Sequence, residues 1–126
     1  MDNRPLLIVD GANVVGSRPD GWWRDRAGAA ARLRDALAPL AVRGLPPELP
    51  PPLEVVLVVE GAAREVPGAE GVRTVPAPGS GDDTIVALVR DAPQRRRLVV
   101  TADRELRTRV TALGAEVHGP RWLPRP

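Results

Sequence analysis

Three segments of this chain are apolar at successive positions rather than at alternate ones: Leu6-Leu7-Ile8-Val9, residues 53–59 apart from Glu54, and Leu98-Val99-Val100 within 97–101. A strand with one face in water alternates apolar and polar residues, so a short run without alternation belongs to a strand covered on both faces. Such strands make parallel sheets sandwiched between helices. The first run ends at Asp10-Gly11, which reads as a turn, and the second is bounded by Pro52 and Gly61.

The intervening segments carry helical periodicity. In 25–43, Ala29, Leu33, Ala36, Leu37 and Leu40 recur at three- and four-residue steps and form one apolar stripe, with Pro39 as a kink or late break. Residues 80–92 place Ile85, Val86, Leu88 and Val89 on a helical period between Gly79-Ser80-Gly81 and Pro93. In 103–113, Leu106, Val110 and Leu113 point inward and Gly114 stops the helix. Residues 71–75 predict a weaker third strand and 115–118 a short last one, while proline-rich 44–52 predicts a stiff extended connector. The expected architecture is α/β, a mainly parallel sheet of four to five strands with helices on both sides, in a single domain over 1–126. Its core must be aliphatic, because the chain has three Trp and neither Phe nor Tyr.

Charge and cysteine usage narrow the chemistry. All 18 basic residues are Arg, yet the formal net charge is only +2, so the case for phosphate binding depends on where the arginines sit. All-Arg usage alongside abundant Ala, Gly and Pro looks like GC-rich coding. A P-loop nucleotide site is excluded, since it needs a Lys. With no Cys, a disulfide and a thiolate-bound zinc are excluded and any metal is held by oxygen. The first apolar run is too short for a signal-peptide core or a membrane span, and a cytoplasmic location is expected.

In an open parallel sheet the crevice at the carboxyl ends of the strands is the functional one. Asp10 ends the first strand, Asp103 follows the fourth, Asp82-Asp83 open a helix between the third and fourth, and Glu60 follows the second. Carboxylates gathered at one edge raise one another's proton affinity unless a cation neutralises them. Mg²⁺ or Mn²⁺ suits such oxygen ligands, and the site suits phosphodiester hydrolysis. Each acid also has a plainer reading. Asp82, Asp83 and Asp103 are good residues for a helix amino end, with Ser80 to Asp83 arranged like a capping box, Asp10 could form an Asx turn with Gly11, and Glu60 could be a solvated strand end.

The segments Val9-Asp10-Gly11-Ala12-Asn13-Val14-Val15, Ser80-Gly81-Asp82-Asp83-Thr84-Ile85 and Thr101-Ala102-Asp103-Arg104-Glu105-Leu106, in this order, resemble the NYN branch of the PIN-like nucleases, especially the small YacP-like single-domain members. The resemblance spans nearly the whole chain. It implies a three-layer α/β/α PIN-like, Rossmann-like fold, Mg²⁺ or Mn²⁺ as cofactor, and RNA as substrate. It maps Asp10, Asp82 or Asp83, and Asp103 onto the acidic metal-binding cluster. Asn13 maps onto the polar residue that positions substrate or a metal-bound water, against a plainer role in forming the turn. Such proteins often carry Asp-Gly after the second strand, where this chain has Glu60-Gly61. Some YacP-like members cleave messenger RNA in association with ribosomes, which makes RNA, including mRNA on the ribosome, the implied partner.

Trp22-Trp23-Arg24 falls on the expected active side, where an aromatic can stack on a base beside an Arg on phosphate, although at least one Trp is expected to pack against the sheet. Arg104, Arg107 and Arg109 follow Asp103, and Arg104 is a further candidate for substrate phosphate. Arg95-Arg96-Arg97 should lie at the opposite sheet edge, and His118 has a surface or turn role. The leading reading is a metal-dependent endoribonuclease. Its alternatives are a non-catalytic RNA- or ribosome-binding module and a nucleotide phosphohydrolase.

Overall fold

The computed structural model describes residues 2–124. Its strands are β1 (Leu6–Asp10), β2 (Glu54–Val59), β3 (Val72–Pro76), β4 (Arg97–Val100) and β5 (Glu116–His118). They form one sheet in the order β3-β2-β1-β4-β5, parallel at every pairing. The chain steps from β1 outward to β3, then returns to lay β4 on the other side of β1. The connections therefore change direction between β1 and β4, and that change opens the crevice at the carboxyl edge of the sheet.

The helices are α1 (Gly11–Gly16), α2 (Arg26–Leu37), α3 (Leu40–Arg43), α4 (Gly81–Arg90) and α5 (Arg104–Thr111). Leu7, Val9, Leu57, Val59 and Val100 pack with Val14, Ala29, Leu33, Leu37 and Leu40 in one layer. Leu6, Ile8, Val56, Val58 and Val99 pack with Ile85, Val89, Leu106 and Val110 in the other. Neighbours along a strand thus go to opposite layers, which is why the strand sequences do not alternate. Burial of each such side chain is worth about 1.5–3 kcal/mol. The result is the expected three-layer α/β/α arrangement.

Three local expectations are corrected, the first being that Leu113 points inward: it lies beyond the end of α5 and is exposed. The Asp10-Gly11 step is the start of α1 rather than a turn, because Asp10 caps the helix by accepting from the Asn13 N–H at 3.4 Å. The connector 44–52 is curled rather than extended. Leu45 N–H donates to the Leu49 carbonyl at 2.8 Å, and Leu49 is fully buried in the first layer, so apolar burial bends a segment whose prolines alone favour extension. The helix expected over 25–43 does break late, with α2 ending at Leu37 and α3 beginning after Pro39.

Trp22 and Trp122 pack against the core, while Trp23 is 56% exposed. The triple arginine sits at the amino edge of the sheet as expected. Arg97 is buried there and donates to the carbonyls of Val89 and Leu113 at 2.7 and 2.9 Å, so it ties the carboxyl end of α4 to the turn that follows α5. Arg95 pairs with Glu54 at 2.7 Å. His118 stacks on Trp122, with ring centroids 4.4 Å apart, and meets Glu48 at 2.6 Å. Among the described residues no helix is long and apolar enough to cross a membrane.

Candidate functional site

Asp10 is carried into the crevice by β1, whose preceding residues are all buried. Gly11 follows because a Cβ there would lie 2.5 Å from the Val58 carbonyl oxygen, so only glycine lets α1 start against β2. The two carboxylate oxygens of Asp10 are used separately. Oδ1 accepts from the Asn13 N–H, and Oδ2 accepts from the Thr101 hydroxyl at 2.8 Å.

Thr101 is fully buried just beyond β4, and its oxygen accepts in turn from the Asp103 N–H at 3.1 Å. Asn13 spans the same gap from the other side. Its Oδ1 accepts from the Ala102 N–H at 2.9 Å, which leaves the two N–H donors of its amide for another partner. Asp103 then caps α5, accepting from the Leu106 N–H at 3.0 Å. The end of β1 and the loop after β4 are therefore stitched together by side chains at the point where the sheet changes direction.

Burial pushes the Asp10 carboxyl above its ordinary range. The negative charges of Glu60 and Asp103 push the same way, against the lowering by the Thr101 and Asn13 hydrogen bonds. Asp10, Glu60 and Asp103 thus form one electrostatic cluster. Glu60 is brought in from the end of β2 and accepts from the Gly81 N–H at the start of α4. Gly81 permits this approach, since a Cβ there would stand 3.0 Å from Glu60 Oε2.

Asp82 and Asp83 take a different disposition. Asp82 accepts from the Ser80 hydroxyl and from the Asp83 N–H, and the Ser80 bond leads the causes that hold its carboxyl below the usual range. The capping box expected at Ser80 does not form, because the hydroxyl is spent on Asp82. Arg109 of α5 reaches both acids, at 2.9 Å to Asp83 and 3.9 Å to Asp82. Arg104 is exposed in the first turn of α5, and Arg24 is exposed with its guanidinium 5.8 Å from the centroid of the Trp23 ring.

Among the described residues no three Asp, Glu or His side chains converge closely enough to chelate one ion as they stand. The donor set is nevertheless all carboxylate and hydroxyl oxygen. The charge that burdens Asp10 is the kind a divalent cation relieves, so the residues fit Mg²⁺ or Mn²⁺ in chemistry.

Two members of this network were weak or silent in the sequence. Glu60 echoes Asp10 as an acid-glycine pair ending an apolar strand, a signal that Glu60-Gly61 does carry. Thr101 could be found only by knowing that β4 lies beside β1, which local pattern does not reveal.

Fold and site together define a three-layer α/β/α domain with an acidic cluster at the β1/β4 crevice. One solved structure it resembles is Rae1 (YacP) from Bacillus subtilis, with a TM-score of 0.70 and 18% sequence identity over 93% of this chain and 70% of that one. At that identity the likeness speaks for the fold. No protein-family profile and no curated protein sequence matches the chain.

Proposed function

We propose that the protein is a metal-dependent ribonuclease of the NYN, YacP-like kind. In this reading it hydrolyses RNA phosphodiester bonds endonucleolytically in the cytoplasm, with mRNA on the ribosome as a physiological target. The observation that carries this reading is Asp10. It is half-buried at the crevice, its proton affinity is raised by burial and by two neighbouring carboxylates, and its orientation is fixed by Thr101 and Asn13. Such an arrangement costs stability, and a bound cation would offset that cost.

Asp10 and Asp103 would hold Mg²⁺ or Mn²⁺, with Glu60 beside them and Asp82 or Asp83 joining from α4. A divalent ion bound there supplies a water of lowered pKa and offsets charge on the phosphoryl oxygens. Thr101 keeps one Asp10 oxygen in place, Asn13 offers its amide donors to a phosphate or a water, and Arg104 and Arg24 offer guanidinium groups to the RNA backbone.

A second reading, a non-catalytic RNA-binding module of the same fold, is favoured by the pairing of Asp82 and Asp83 with Arg109, which competes with a metal for these acids. Incubating end-labelled single-stranded and structured RNA with Mn²⁺, Mg²⁺ or chelator separates the two. Wild type should give metal-dependent products that a folded Asp10→Asn/Asp103→Asn protein does not. RNA binding without cleavage by wild type would select the module.

A further inference from the structure

A cavity of about 170 Å³ opens beside the acidic cluster, between α1, the start of α2 and the end of β2. Val15, Val59, Ala63 and Trp22 form its apolar walls, and Arg26 and Glu60 supply its charged groups. Its size, charge and position bear on what it can hold.

An apolar cavity of roughly 150 Å³ takes up a benzene ring, whereas sites for whole small molecules run to about 300–1,000 Å³. The space therefore suits one flat ring. The charges do not suit phosphate, because the single guanidinium is balanced by a carboxylate, and Arg26 already lies over the Trp22 ring at 5.3 Å from its centroid. Such a lining suits a neutral ring with polar edges, which can lie against Trp22, accept from Arg26 through a ring carbonyl, and donate to Glu60. Glu60 belongs both to this cavity and to the electrostatic cluster around Asp10, so a group seated here is next to whatever is held at the acids.

We infer that the cavity receives a single pyrimidine base, turned out of the RNA strand whose phosphodiester lies at the acidic cluster. This rests on the ribonuclease reading and adds to it a base-recognition pocket beside the scissile position, walled by Trp22 and edged by Arg26. Enzymes and binding modules that read single-stranded RNA do so by splaying bases onto aromatic and guanidinium planes.

The test uses the full chain with chelator present and follows the Trp22 indole N–H and the Ala63 amide by NMR during titration with CMP, UMP, AMP, GMP and ribose 5-phosphate. Both signals should move saturably with CMP and UMP, about threefold or more tighter than with AMP or GMP, and stay still with ribose 5-phosphate. Ala63→Leu, which fills the space, should weaken the pyrimidine effect about tenfold. Arg26→Gln, a surface change that leaves the fold intact, should weaken it about threefold and serves if Ala63→Leu does not fold. No saturable shift, an equal response to ribose 5-phosphate, a purine preference, or undiminished binding in a folded Ala63→Leu protein overturns the assignment. RNA cleavage measured on the same preparation keeps the two readings apart. Cleavage without a pyrimidine shift removes the pocket alone, and a pyrimidine shift without cleavage removes the ribonuclease while leaving a base-binding pocket.

Discussion

Asp10 works against the stability of the strand it terminates. Its carboxyl is raised above the ordinary range, chiefly by burial, so the metal-free folded state binds this proton more tightly than the unfolded chain does. The contribution is therefore destabilising above the folded pKa and fades as pH falls through it towards the unfolded value. In chelator, the stability of Asp10→Asn relative to wild type should improve as pH rises from acid to neutral, read from urea unfolding at each pH. A difference independent of pH would contradict this. Thr101 has the opposite character, since its one oxygen serves both Asp10 and the Asp103 amide. Thr101→Val keeps the shape and leaves two polar groups without that partner. It should cost about 1–3 kcal/mol in urea unfolding, with Thr101→Ser recovering much of the loss.

At the scale of elements, several acids are at once candidate ligands and helix caps. Asp103→Ala should lose about 1 kcal/mol by uncapping α5, whereas Asp103→Asn keeps an acceptor for the Leu106 N–H and should unfold close to wild type. Comparing RNA cleavage by the two variants then isolates the charge from the cap. The plainer reading of Asp103 as a cap and the functional one are both compatible with its geometry, and sequence could not have separated them. Helices α4 and α5 were legible because their apolar periodicity is strong, α2 because its segment is rich in helix formers with Ala29, Leu33 and Leu37 at four-residue steps, and the breaks at Pro39 and Gly114 followed from residue chemistry. Helix α1 was not, since Gly11–Gly16 is too short to display a period and its start is marked only by Asp10 serving as a cap. The curl of 44–52 was hidden for a related reason. Proline composition reports local stiffness, while the buried Leu49 that bends the segment is a tertiary contact.

For the whole molecule, the parallel sheet and its two helical layers could be read from unalternating strands, but the strand order could not. That order lays β4 against β1 and so joins Asp10 to Thr101 and Asp103, from which it is distant in the chain. A cation held by this group should stabilise the folded state by about 2.7 kcal/mol at a concentration one hundred times its Kd, and the gain should vanish in Asp10→Asn/Asp103→Asn. Thermal unfolding with and without Mn²⁺ measures it. The stitching across the β1/β4 gap has a consequence for hydrogen exchange. The amides of Ala102 and Asp103 lie outside any strand, yet the Ala102 N–H is bonded to Asn13 on the far side of the gap, and the Asp103 N–H to the Thr101 oxygen, whose hydroxyl in turn donates across it to Asp10. They should exchange with solvent on the slow timescale of the central strands rather than that of surface loops. Asn13→Ala should release Ala102 selectively. Those two amides would then time the opening of the crevice directly, with no substrate or turnover needed.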